Sequence, residues 1–208
     1  MASASENDRL VWIDCEMTGL DLGIDELVEI AVVITDFELN PVDPGFQIVI
    51  KPSDAALGNM NDFVTEMHRS SGLIDEIPSG VTLAEAEEQT LAYIKRFVPL
   101  ERKAPLAGNT IGTDRMFLAK YMPQIDQWLH YRNVDVSSIK ELSRRWYPRV
   151  FFQAPAKDGG HRALADILES IRELRYYRDA VFVPEPGPSS EEARAIAERT
   201  VSSAPSDV

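Results

Sequence analysis

The sequence predicts an α/β fold, a mixed five-stranded sheet flanked by helices, on three observations. Three strand-like segments crowd into residues 9–51, two strand–helix units follow between 104 and 147, and a long amphipathic segment covers 162–182. Three strands with short connections form an antiparallel meander, and strand–helix units add further strands covered by helices.

The first strand is RLVWIDCE (9–16), an apolar run with β-branched residues, and the second is ELVEIAVVIT (26–35). Between them MTGLDLGID carries two glycines and several turn formers, which suits a tight connection. GFQIVIK (45–51) is a third strand after the turn LNPVDPG. The pattern then turns helical: residues 82–98 place Leu83, Leu91, Ile94, Phe97 and Val98 at helical spacing. Thr82 and Glu85 form a capping box at its start, and Pro99 stops it. APLAGN (104–109) is a short apolar strand, followed by a helix through DRMFLAKYM that ends near Pro123. YRNVDVSS (131–138) is a further strand, and IKELSRRWY a helix before Pro148. In the last segment Leu164, Ile167, Leu168, Ile171 and Leu174 lie on one stripe. From Pro184 the composition shifts to Pro, Ser, Glu and Ala, so 184–208 is expected to be an acidic tail without fixed structure, or only transiently helical. Residues 8–183 form the single domain.

Composition narrows the function classes. Hydrophobic residues make up 44% and charged residues 26% of 208, ordinary for one soluble domain. No apolar run approaches the roughly 20 residues needed to span a bilayer. The start, MASASENDRL, lacks the basic segment and apolar core of a secretory leader. A single cysteine excludes an internal disulfide and a cysteine zinc cluster. Together these predict a cytoplasmic protein with no membrane partner. The net charge of −13 argues against a protein that coats long nucleic acid, because counterion release rewards a basic surface. Any nucleic-acid substrate is expected to be short, held by local contacts and metal ions, with no long track. The densest basic cluster, RRWYPR (144–149), reads as a solvated helix end or a dimer feature.

Two acids interrupt the first strand. Residues i and i+2 of a strand share a face, so Asp14 and Glu16 project together while Ile13 and Cys15 point to the packed side. Like charges held this close repel unless a cation neutralises them. Cys15 reads as a small packed side chain, not a nucleophile. GNTIGTDRMFL sets Asp114 at the start of a helix, and HRALAD sets His161 before a helix and Asp166 in its first turn. Each alone is unremarkable. His68 and His130 are the only other histidines, which excludes a His-rich metal site. Together Asp14, Glu16, Asp114 and Asp166 supply oxygen ligands for two hard cations, Mg²⁺ or Mn²⁺, about 4 Å apart, an arrangement suited to in-line displacement at phosphorus. One ion would activate the attacking water and the other stabilise the leaving oxygen, with His161 taking the proton.

DCEMTGL, GNTIGTDRMFL and HRALADI resemble the three motifs of the DEDDh exonuclease superfamily, which has a ribonuclease H-like fold. WIDCEMTGLD, KYMPQIDQWLHYRNVDVSSIKELSRRWYP and LRYYRD resemble the oligoribonuclease family within it, and the likeness runs from about residue 8 to 183. The resemblance implies a homodimeric, metal-dependent 3′→5′ exoribonuclease that degrades very short RNAs, dinucleotides above all, to 5′-mononucleotides. It assigns the metal ions to Asp14, Glu16, Asp114 and Asp166, and the general base to His161. It further implies substrate contacts at Met17, Leu20, Phe63, His68, Thr110, Tyr131, Arg132, Ser137 and Ser138. Leu20 matches an apolar wedge between the two bases. Phe63 stands where the family often has tryptophan and keeps an aromatic face for stacking. His68 matches a residue near the scissile phosphate or sugar. Thr110, in place of a serine, matches with Arg132, Ser137 and Ser138 a cap on the 5′-phosphate, which fits charge-assisted recognition of a terminal dianion. Tyr131 matches an aromatic that reaches the neighbouring subunit's site. The rival readings are an exonuclease of the same superfamily acting on DNA 3′ ends, a non-catalytic ribonuclease H-like binding module, and a generic metal-dependent phosphohydrolase.

Overall fold

A computed structural model gives the fold and describes residues 8–156 and 160–202; the first seven residues and the last six of the tail lie outside the described residues. Strands β1 (Leu10–Met17), β2 (Leu27–Thr35) and β3 (Phe46–Val49) open the chain, as an antiparallel meander. Helices α1 (Asp54–Asn59), α2 (Asp62–Ser70), α3 (Leu73–Glu76) and α4 (Leu83–Phe97) follow, then β4 (Pro105–Gly108), α5 (Gly112–Tyr121) and α6 (Pro123–Trp128). Strand β5 (His130–Asp135), α7 (Val136–Trp146), α8 (Pro148–Phe152), α9 (Ala163–Val181) and α10 (Ser190–Ser202) complete the order. The sheet runs β3-β2-β1-β4-β5, with β4 and β5 parallel to β1. This is the mixed five-stranded sheet expected.

Strand β1 lies inside the sheet with both faces covered, which accounts for its nearly unbroken apolar run. Val11, Ile13, Cys15 and Met17 pack on one side with Leu91 and Ile94 of α4 and Phe117 and Leu118 of α5. Leu10 and Trp12 face the other side, against Ile167, Ile171, Leu174 and Tyr177 of α9. Alternation therefore carries the next two even-numbered residues, Asp14 and Glu16, onto the α9 side at the strand's end.

The capping box of α4 forms as read: Thr82 N donates to Glu85 Oε2 at 2.9 Å, and Glu85 N to Thr82 Oγ1 at 3.3 Å. Elsewhere the structure differs from the reading. Residues 52–81, left without assignment, hold α1, α2, α3 and a 3₁₀ turn at Ile77–Ser79. They are short, with too few apolar residues to show a period; α1 and α2 are started by side-chain caps, Ser53 accepting from Ala56 N and Asn61 from Val64 N. Pro123 and Pro148 open α6 and α8 as well as ending what precedes them, since a first-turn proline gives up no helical bond. Strand β5 ends at Asp135, not at Ser138, because the Asp135 carboxylate accepts from Ser137 N and caps α7. Ser137 and Ser138 are thus helical. The tail contains α10, none of whose residues is buried. No described helix is long and apolar enough to cross a membrane.

Trp12 and Thr35 are both fully buried, and the Trp12 indole N–H donates to Thr35 Oγ1 at 3.0 Å. Thr35→Val keeps the shape and leaves that N–H without an acceptor, so the loss should be about 1–3 kcal/mol. Denaturant unfolding checks this as a lower midpoint at unchanged slope.

Candidate active site

The end of β1, the first turns of α5 and α9, and the loops before them enclose a cleft of about 470 Å³. One carboxylate oxygen each from Asp14, Glu16 and Asp166 lie within 4.8 Å of one another. Asp114 joins them from α5, its Oδ1 accepting a 3.0 Å hydrogen bond from the Cys15 backbone N–H, between the two acids of β1. That approach demands a close strand-to-helix turn. A Cβ on Gly108 would strike the Ile111 side chain and lie 3.1 Å from the Ile13 carbonyl oxygen, so only glycine fits there. Thr110 in the same turn takes a left-handed backbone, φ 65°, and so does His161 at φ 48° before α9.

The acids stand in an environment that opposes their ionisation. Burial is the leading cause in each case. Asp14 is pushed well up by burial and then by Asp114, Glu16 and Asp166. Glu16 is pushed up to about 8 by burial, then by Asp166 and Glu29. Asp114 rises to about 6 from burial, with the Cys15 N–H opposing. Burial also drives the Cys15 thiol up, which keeps it protonated and inert, as a packed side chain should be.

Glu29 on β2 faces Glu16 in the strand register and is fully buried. The Arg162 guanidinium donates to it at 2.8 Å and to Glu76 of α3 at 2.7 Å, while Ala163 N donates to the other Glu29 oxygen at 3.0 Å. This clamp ties the start of α9, and the residue next to His161, to the sheet.

Of the residues expected in the site, Asp14, Glu16, Asp114, His161 and Asp166 all line the cleft. Met17, Leu20 and Thr110 line it too. His68 is fully buried behind it, its Nε2–H donating to the Met17 carbonyl at 2.8 Å and its Nδ1 3.9 Å from Glu16 Oε2. Phe63 projects from α2, 77% exposed and apart from the cleft lining. Tyr131 and Arg132 are exposed on β5, with Arg132 Nε donating to Tyr131 Oη at 3.2 Å. Ser138 is exposed on α7. Ser137 donates its hydroxyl to Asp135 Oδ1 at 2.7 Å, the atom that also accepts from Thr110 N at 2.9 Å. Sequence reasoning missed Asn109, Thr113, Glu169 and Ser170 of the lining, and the Glu29–Arg162 clamp. Glu29 carried a usable signal, a charge in the middle of an otherwise apolar strand.

An exonuclease family model, RNase_T, matches residues 11–174. An oligoribonuclease of Leifsonia xyli subsp. xyli is 74% identical over 192 residues, 92% of this chain and 93% of the relative. Another, of Streptomyces griseus, is 62% identical over 93% of this chain and 96% of its own. The chain belongs to the oligoribonuclease family. It is therefore an exonuclease, a hydrolase of nucleic acid.

Solved structures agree on the fold. Exonuclease I of E. coli, in a zinc-bound complex with single-stranded DNA, superposes with a TM-score of 0.65 at 14% identity, over 84% of this chain. A moderately thermophilic exonuclease I from Methylocaldum szegediense gives a TM-score of 0.58 at 19% identity, over 83% of this chain. This chain spans 41% of the length of each of those two structures. At such identities the likeness establishes the ribonuclease H-like fold of this oligoribonuclease-family chain and nothing finer.

The donor set fits divalent cations. It is all carboxylate oxygen, three groups converge within 4.8 Å, and desolvation and mutual repulsion leave the acids in want of positive charge. The same shifts set a pH dependence. Glu16 at about 8 and Asp114 at about 6 hold protons more tightly than the ordinary values of 4.5 and 3.8 for these groups when unfolded. The folded protein without cation then binds more protons than the unfolded chain, so it loses stability as pH rises from about 5 to 8. Thermal unfolding in chelator should show the midpoint falling across that window, and Mg²⁺ or Mn²⁺ should restore it most at the alkaline end. A flat profile in chelator would contradict the desolvated cluster.

Proposed function

We propose that the chain is a 3′→5′ exoribonuclease that degrades very short RNAs, dinucleotides foremost, to 5′-mononucleotides. The observation that carries this reading is the meeting, in one cleft, of Asp14, Glu16, Asp114 and Asp166 with His161 and an exposed Leu20, in a chain of the oligoribonuclease family. Two Mg²⁺ or Mn²⁺ ions held by the four carboxylates would supply activation of the attacking water and neutralisation of the leaving oxygen.

The chain's own residues do the rest. His161, exposed on the cleft wall before α9, accepts the proton of the attacking water as general base. Leu20, 75% exposed, enters between the two bases as a wedge, and Phe63 offers a ring for stacking. His68 holds the Met17 carbonyl and so fixes the backbone that borders the scissile group. Thr110 and Ser137, gathered on Asp135, cap the 5′-phosphate together with Arg132 and Ser138. A capped end limits length sterically, which is why a protein of net charge −13 needs no basic track.

The chain acts as a homodimer in this reading. Trp146 at 65% exposure and Phe152 at 75%, with Leu142 and Tyr147 beside them in sequence on α7 and at its end, present apolar surface suited to a second copy. In this reading Tyr131 reaches the partner's cleft, which its 74% exposure on the edge strand β5 supports.

With Mg²⁺ and end-labelled RNAs of two to about twenty nucleotides, the dinucleotide should be cleared fastest and chelator should abolish turnover. Equal or faster trimming of the longest RNA would remove the length-selective reading. Preference for a parallel DNA series would favour the DNA 3′-end rival, and no turnover of either would favour a binding module.

Asp14→Ala and His161→Ala should each lower kcat by about 10²–10⁴-fold, the range of an essential metal ligand or general base. Calorimetry with Mn²⁺ separates them: His161→Ala should still bind the ion, and Asp14→Ala should bind it weakly. Near-normal rates in His161→Ala would end its assignment as base.

A further inference from the structure

Leu20 rides on a loop whose construction is out of proportion to the connection it makes. Antiparallel neighbours can be joined by two residues, yet β1 and β2 are joined by residues 18–26. At the centre of this loop is the carboxylate of Asp25, 6% exposed. Its Oδ1 accepts from the Thr18 hydroxyl at 2.8 Å and its Oδ2 from the Asp21 backbone N–H at 2.9 Å. Thr18 is itself locked: its hydroxyl accepts from Glu26 N at 3.1 Å and its N–H donates to the Glu26 carbonyl at 2.9 Å. The far side is held from α5, where the Tyr121 hydroxyl donates to the Asp25 carbonyl at 2.6 Å and Lys120 Nζ donates to the Leu22 carbonyl.

Gly19 closes the arrangement. A Cβ at that position would overlap the Asp25 carboxylate, 2.7 Å from its Cγ, so the backbone folds directly over the buried acid. Leu20 therefore lies between Gly19, which lies against Asp25, and Asp21, which is hydrogen-bonded to it. Its own side chain remains exposed on the cleft wall. A buried carboxylate is costly unless its hydrogen bonds are made, and here they are made to the backbone and side chain flanking Leu20, the apolar residue that the loop presents to the cleft.

We propose that Asp25 is a positioning residue that fixes where Leu20 meets the substrate, and so sets how well the site engages a dinucleotide. This rests on Leu20 acting as the wedge. Asp25 touches neither substrate nor metal; it acts through the loop. A loop already ordered in the free protein loses little conformational freedom on binding, so removing its central acceptor weakens substrate engagement and leaves the chemical step nearly alone.

The test is a double-mutant cycle in steady-state kinetics on a dinucleotide, with Mn²⁺ calorimetry and thermal unfolding on each variant. Leu20→Ala should raise KM about tenfold, Asp25→Ala should raise it by a similar factor, and both should keep kcat within about threefold. The double variant should stay within about twofold of Leu20→Ala alone, because Asp25 has nothing left to position. Mn²⁺ binding should be unchanged throughout. Multiplying effects in the double variant, or a normal KM for Asp25→Ala, would overturn the proposal while leaving the wedge intact. A normal KM for Leu20→Ala would instead remove the wedge, and the proposal with it.

A hydroxyl rescue covers the case in which Asp25→Ala does not fold. Thr18→Ser keeps the donor to Asp25 and should behave nearly as wild type, whereas Thr18→Val should raise KM with kcat retained. Equal kinetics for Thr18→Ser and Thr18→Val would overturn the proposal on this arm as well.

Discussion

Everything around the cleft answers one electrostatic difficulty, the crowding of four carboxylates at the buried end of a central strand. Burial lifts Asp14, Glu16 and Asp114 above their ordinary ionisation range, and repulsion adds to it, from neighbouring acids of the cluster at Asp14 and Glu16 and from Asp135 at Asp114. The fold offsets part of this with features that carry positive potential. Asp114 and Asp166 both sit in first helical turns, of α5 and α9, where unpaired backbone N–H groups favour negative charge. The Cys15 N–H is aimed at Asp114, and Arg162 neutralises Glu29 immediately behind Glu16. What is left over is negative, and it is the part that a divalent cation completes.

The attachments fall into two tiers. The four carboxylates hang on β1, α5 and α9, elements that pack through the two main cores and have little freedom to move. The groups assigned to substrate recognition hang on loops and edges: Leu20 after β1, Phe63 on the short helix α2, Tyr131 and Arg132 on the edge strand β5. The same fold in exonuclease I, from chains more than twice as long, shows how much can be added around it.

Much of the site was legible because local rules govern it. Strand alternation put Asp14 and Glu16 on one face, and the helix starts at Asp114 and Asp166 follow from neighbouring residues alone. The clamp was not legible in that way. Glu29 and Arg162 are 133 positions apart, and no local pattern joins them. The helices of residues 52–81 were missed because they are too short for a period, and α6 and α8 because proline reads as a stop before it reads as a start. The misplaced end of β5 has a smaller cause. The Asp135 side chain takes the Ser137 N–H in place of the ladder, and the strand gives way to helix at the next residue.

The clamp also has a temporal meaning. Synthesis delivers β1 and its two acids within the first residues of the chain, and β2 with Glu29 soon after. His161, Arg162 and Asp166 emerge only after some three-quarters of the chain has been made. Until α9 docks, the acids already made have neither Asp166 nor His161 beside them. The contacts that finish the cleft are thus among the longest in sequence, and such contacts close late in folding. A half-made chain therefore has no closed cleft, because the last long helix is what brings His161 and Asp166 to the two acids of β1.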